Sequence, residues 1–96
     1  MWGDVQIDLD KRLVTRGGVL VKVSPRECDV LSRLALEQGK VLSHKELLVA
    51  VWGAAHAQDT LYLRVFVGQL RQKLEADPAS PNILVTEPGV GYRFVT

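Results

Sequence analysis

The stretch Thr60 to Glu75, TLYLRVFVGQLRQKLE, constrains the fold more than any other part of this chain. Leu63, Val67, Leu70 and Leu74 recur at steps of four, three and four, so a helix aligns them as one apolar stripe that has to be buried. Leu61, Arg64, Val65, Gly68, Arg71 and Gln72 fall on the opposite surface, with Gln69 at its shoulder. No acid stands between Thr60 and Leu74, whereas Arg64, Arg71 and Lys73 do. The predicted helix therefore has a greasy back and a front that is cationic, amide-bearing and short at Gly68. Such a front suits the anionic, hydrogen-bonding floor of a DNA groove. An ordinary solvated helix face has the same composition, so the neighbouring elements decide between the two.

Those elements are constrained by a short chain. Ninety-six residues support one domain with a single modest core, and an apolar fraction of 47% excludes a disordered segment. The net charge is only +1, so any attraction to nucleic acid has to come from a local patch. Cys28 is alone, which excludes a disulfide framework and a cysteine-rich metal site and fits a reducing, cytoplasmic setting. No signal peptide or membrane-length apolar run is present, and no membrane partner is expected.

Val5 to Leu9 alternates apolar and polar residues, as a half-buried strand does. Leu13 to Arg16 and Val19 to Val23 flank Gly17-Gly18, a pair suited to a tight hairpin turn, so a small meander is predicted. Met1-Trp2-Gly3 shows little pattern, and Met1 is expected to be introduced or internal to a longer protein. Ser24-Pro25-Arg26-Glu27 spells a helix start with a cap, a first-turn proline and a box-closing glutamate. Cys28, Leu31, Leu34 and Ala35 give that helix its buried face, and Gly39 its stop. After an extended link, Val41-Leu42, the capping pattern returns at Ser43-His44-Lys45-Glu46 and opens a second helix that ends at Gly53. Asp59 or Thr60 caps the third. Asp77-Pro78 through Pro81-Asn82 breaks the helix, and Ile83 to Thr86 and Gly91 to Val95 form a hairpin around Glu87 to Val90.

A meander, three helices and a hairpin make an α+β fold, with the last two helices in helix-turn-helix order and the hairpin placed as a wing. Ser24 to Glu27, the Gly39 to Ser43 link, Val51-Trp52-Gly53, Leu70 to Glu75 and Gly89 to Phe94 resemble the effector domain of OmpR/PhoB-type response regulators. The run Tyr62 to Glu75 is, within that family, similar to regulators of potassium-transport operons. The resemblance implies a winged helix-turn-helix over residues 1–96 that binds double-stranded DNA for a two-component system. It also implies a preceding receiver domain, and head-to-tail pairing with a homodimer partner on direct-repeat half-sites.

Carried over residue by residue, the resemblance places base-edge readers at Arg64, Gly68 and Gln69 of the recognition helix. Arginine for guanine, glutamine for adenine and Val65 for a thymine methyl are the pairings such side chains make, with Gln72 farther along the same front. Several relatives carry arginines at Gly68 and Gln69, so a different base preference is expected here. Phosphate clamps match His44, Trp52, Arg71 and Thr86, and Lys45 stands beside the first of them. Relatives often have arginine at His44, where an imidazole implies a weaker clamp. Pro88 stands where many members have a wing-tip arginine, so Arg93, Thr86 or the backbone has to hold the wing. Ala54, Ala55, His56, Ala57 and Gln58 match the loop that faces RNA polymerase.

Plainer roles compete for several of these residues. Cys28 reads as a small core residue, Trp52 and Phe66 as core, and Tyr92 as packing. His44 and His56 have no spaced partner for metal or general-base work, so no metal and no cofactor is expected. No cluster of acid, base and nucleophile is visible, so no catalytic residue is assigned and an enzyme is not expected. A protein-interaction module on the same winged-helix fold is the alternative that the near-neutral charge favours.

Overall fold

The computed structural model describes residues 4–95; Met1, and the expectation attached to it, lies outside them. Val5–Asp8 (β1), Leu13–Arg16 (β2) and Val19–Val21 (β3) pair as an antiparallel meander in that order. Gly17 and Gly18, at φ 58° and 80°, form the two-residue turn whose left-handed geometry matches strand twist. β1 ends at Asp8 because its carboxylate accepts the Lys11 N–H and starts a turn one residue before the expected end. β3 stops at Val21, short of the expected Val23, as the chain leaves the sheet to reach the Ser24 cap.

Both expected capping boxes are closed. Ser24 Oγ accepts from the Glu27 N–H while Glu27 Oε1 accepts from the Ser24 N–H, opening α1 (Pro25–Leu36). Ser43 and Glu46 do the same for α2 (His44–Trp52). α1 ends at Leu36, before the expected stop, and Gly39 instead donates its N–H to the Phe94 carbonyl. α3 runs over Thr60–Leu74 and buries Leu63, Val67, Leu70 and Leu74 as the periodicity requires, together with Phe66. Asp59 occupies its N-cap position without a side-chain capping bond, because its carboxylate is taken by His56 Nδ1 at 2.8 Å. The four stripe residues join Leu31, Leu34, Leu47, Leu48, Leu84 and Phe94 in one core shared by all three helices and the wing.

The extended link becomes a strand. Leu42–Ser43 (β4) pairs with Gly91–Phe94 (β6), which pairs on its other side with Leu84–Glu87 (β5), so the wing is a three-stranded sheet of order β4-β6-β5. A Cβ on Gly91 would run into the Leu42 carbonyl, so only glycine lets β4 come this close. Residue 91 thus starts a strand and is no spare turn position.

Two charged contacts set the direction of α3. Glu75, directly after the helix, is 3% exposed, and its carboxylate accepts the backbone N–H groups of Asn82, Ile83 and Leu84 at 2.8–3.2 Å. Lys73 Nζ lies 2.7 Å from Glu27 Oε1 and ties the helix to the start of α1. Burial pushes the Glu27 carboxyl up, but the hydrogen bond from Lys73 and those from Ser24 outweigh it and hold the group below its ordinary 4.5.

Glu75→Gln keeps the volume but turns one acceptor into a donor facing backbone N–H groups. It is expected to cost about 2 kcal/mol or more in urea unfolding, and an unchanged midpoint would show that the carboxylate is dispensable. The Glu27 contribution is present at neutral pH and is lost as pH falls through its depressed value. The stability gap between the parent and Lys73→Met should therefore shrink from about pH 7 to about pH 3. A gap that stays constant or widens in acid contradicts the assignment.

Candidate nucleic-acid interface

α2 and α3 are joined by Gly53, a 3₁₀ turn over Ala54–His56 and the His56–Asp59 contact. Trp52, partly buried at the end of α2, meets Phe66 edge-on at 5.0 Å and Tyr62 at 5.5 Å between ring centroids. These edge-to-face contacts fix the crossing of the two helices, which is the main visible role of Trp52. The Ala54 to Gln58 loop beyond it stands out from the core, with only Ala57 half-buried.

With its back in the core, α3 presents Leu61, Arg64, Val65, Gln69 and Gln72 to solvent around a half-buried Gly68. The sequence-based front is corrected at its cations. Lys73 is not part of it, because Glu27 draws the ammonium toward α1. Arg71 sits at the margin, where Nε donates to the Leu84 carbonyl at 3.0 Å and Nη2 to Thr86 Oγ1 at 2.6 Å, with the guanidinium 5.8 Å from the Tyr92 ring centre. Arg64 remains, and among the described residues it has no ion-pair partner. Gly68 has open space where its side chain would be: a Cβ there would meet nothing within 4 Å.

The phosphate-clamp candidates divide into groups. His44, the first residue of α2, places its ring edge-on to Tyr92 at 5.2 Å and donates its backbone N–H to the Val90 carbonyl in the wing turn. Arg71 and Thr86 meet the same tyrosine and the strand opposite it, so the three form a junction between α2, α3 and the wing. Arg93 lies elsewhere. Neighbouring strand residues point to opposite faces, so it sits across the sheet from Tyr92, paired with Glu87. Lys45 is exposed one residue after His44. Cys28 is buried in α1, and among the described residues no group of three metal-ligating side chains comes together.

Leu61 and Tyr62, at 72% and 54% exposure, are surface residues of α3 that the sequence reading left without a role. The helical pattern already put Leu61 on the front; its apolar character gave no reason to select it. Glu75 and Gly91 were missed because their partners lie in other elements.

Residues 18–94 match the family described as transcriptional regulatory protein, C terminal. The chain is 45% identical over 94 residues to the KDP operon transcriptional regulatory protein KdpE of Escherichia coli K12, covering 98% of this chain and 42% of that protein. It is 48% identical over 88 residues to the transcriptional regulatory protein KdpE of Mycobacterium tuberculosis H37Rv, covering 92% and 39%. The chain thus spans about two-fifths of the length of these relatives. Among solved structures, the Klebsiella pneumoniae RstA DNA-binding domain in complex with the RstA box superimposes with a TM-score of 0.87 at 28% identity, covering 99% of this chain and 94% of that one. The AdeR DNA-binding domain in complex with an intercistronic region gives 0.78 at 25% identity, covering 99% and 97%. Capped helices, recognition-type helix and three-stranded wing occur here in one unbroken chain, and the chain belongs to this family as a winged-helix effector domain of the OmpR/PhoB response-regulator type.

Proposed function

We propose that this domain binds double-stranded DNA sequence-specifically in the cytoplasm, with α3 in the major groove and the wing along the adjacent backbone. The observation that carries the reading is Gly68. The chain has open space for a side chain there, and a glycine inside a helix forgoes about 0.5–1 kcal/mol relative to alanine. Nothing among the described residues requires that loss. A surface that comes close to α3 from outside does, and an acid-free front with Arg64 exposed selects a polyanion as that surface.

Arg64, Val65, Gln69 and Gln72 then face base edges around Gly68, Arg64 suited to guanine and Gln69 to adenine. His44, Arg71 and Thr86, gathered at Tyr92, serve the phosphates together with Lys45 and Trp52 of α2, with Arg71 also holding the wing. Arg93, across the sheet, serves a phosphate only on release from Glu87. The likeness to the KdpE proteins supports control of a potassium-transport operon by a longer regulator with a receiver domain. Pairing with a second copy on direct-repeat half-sites is assigned on the family pattern alone. The exposed 54–58 loop is assigned to RNA polymerase on the family pattern.

Gly68→Ala separates folding from binding. It is expected to raise stability by about 0.5–1 kcal/mol in urea unfolding and to weaken binding to a site selected from a random duplex library. A variant that is more stable and binds that site as well as the parent contradicts close approach at Gly68. A parent that prefers no duplex over any other passes the surface to the protein-interaction reading.

A further inference from the structure

Leu61 and Val65 are 72% and 61% exposed, one helical turn apart, on a helix whose other large apolar side chains are mostly in the core. Gly68 continues the same line, so at that position no side chain holds the helix away from whatever it meets. Leu61 belongs to the first turn of α3, and the first turns of recognition helices are the parts that reach base edges. The apolar feature a major-groove floor offers is the C5 methyl of thymine. Four residues of helix rise about 6 Å, which spans roughly two base steps of about 3.4 Å.

We propose that Leu61 is a specificity-determining residue that reads a thymine methyl group, forming with Val65 a two-point apolar reader beside the polar contacts of Arg64 and Gln69. This rests on the DNA-binding reading above and extends it to a position that has no hydrogen-bonding group. Charge does not compete for the role: Arg64 flanks the pair and no acid lies on the helix front. The half-site read by α3 then contains two thymines about two steps apart, each recognised by its methyl.

Deoxyuridine differs from thymidine only in lacking that methyl, so it tests the contact without altering hydrogen bonds. Sites are selected from a random duplex library with the 96-residue chain, and each thymine of the selected site is replaced singly by deoxyuridine. The parent and Leu61→Ala are then titrated against every duplex. At one thymine per half-site the replacement should weaken the parent about fourfold, the value of one methyl group taken out of water, and leave Leu61→Ala unaffected. A second thymine should stay sensitive in Leu61→Ala and lose its sensitivity in Val65→Ala. Selected sites without thymine, indifference to deoxyuridine, or penalties that persist unchanged in Leu61→Ala overturn the assignment and leave DNA binding standing. A library that yields no preferred site overturns both.

Discussion

The geometry of the interface depends on one buried carboxylate. Glu75 stands where α3 ends, and its two oxygens accept three successive backbone N–H groups at the start of β5. A buried charge is tolerable only when its lone pairs are satisfied, and here backbone donors do so across a proline-bearing turn. One turn earlier, Arg71 repeats the link through the Leu84 carbonyl and Thr86. β5 is thereby set against the last turns of α3. β6 follows from pairing with β5, and β4, which leads into the Ser43 cap of α2, follows from pairing with β6. At the other end of α3 the Trp52 ring cluster holds α2. The recognition helix is therefore fixed at both ends, and its front and the wing keep one relative position before any ligand arrives.

The same contacts explain how a chain of net charge +1 presents a cationic front. Part of its positive charge is engaged within the fold: Lys73 on Glu27, Arg93 on Glu87, Arg12 on Asp29 and Arg26 on the Val51 carbonyl. Three of these contacts tie α1 to α3, the meander and α2, while Arg93–Glu87 stays within the wing. Around the front of α3 this leaves Arg64, Arg71 and Lys45. On the proposed reading, such a surface relies less on bulk attraction to phosphates and more on fit within the groove, in keeping with the apolar and amide side chains at its centre.

Local features of the fold were legible in the sequence because their causes are local. Each capping box is a four-residue pattern, the stripe of α3 is a periodicity, and Gly17-Gly18 is a turn signal; all three appear as expected. What escaped depends on partners far along the chain. Composition alone does not show that Glu27, forty-six positions earlier, draws Lys73 away from the cationic front. Leu42–Ser43 is too short to read as a strand without β6 beside it, and the need for glycine at 91 is visible only once that strand is in place. Among the candidate contacts, the α3 front was readable from helical phase. The division of the clamps into the Tyr92 junction and the isolated Arg93 was not, because strand register decides it.

If the front of α3 and the wing junction form the DNA surface, amide chemical-shift mapping of the isotopically labelled chain, titrated with a duplex at low salt, locates it. Shifts are expected to concentrate from Leu61 to Gln72, at His44 and Lys45, and from Val85 to Tyr92, with the meander β1–β3 and the body of α1 unmoved. Shifts centred on the meander or on the outer face of α1, with the α3 front unchanged, would contradict it.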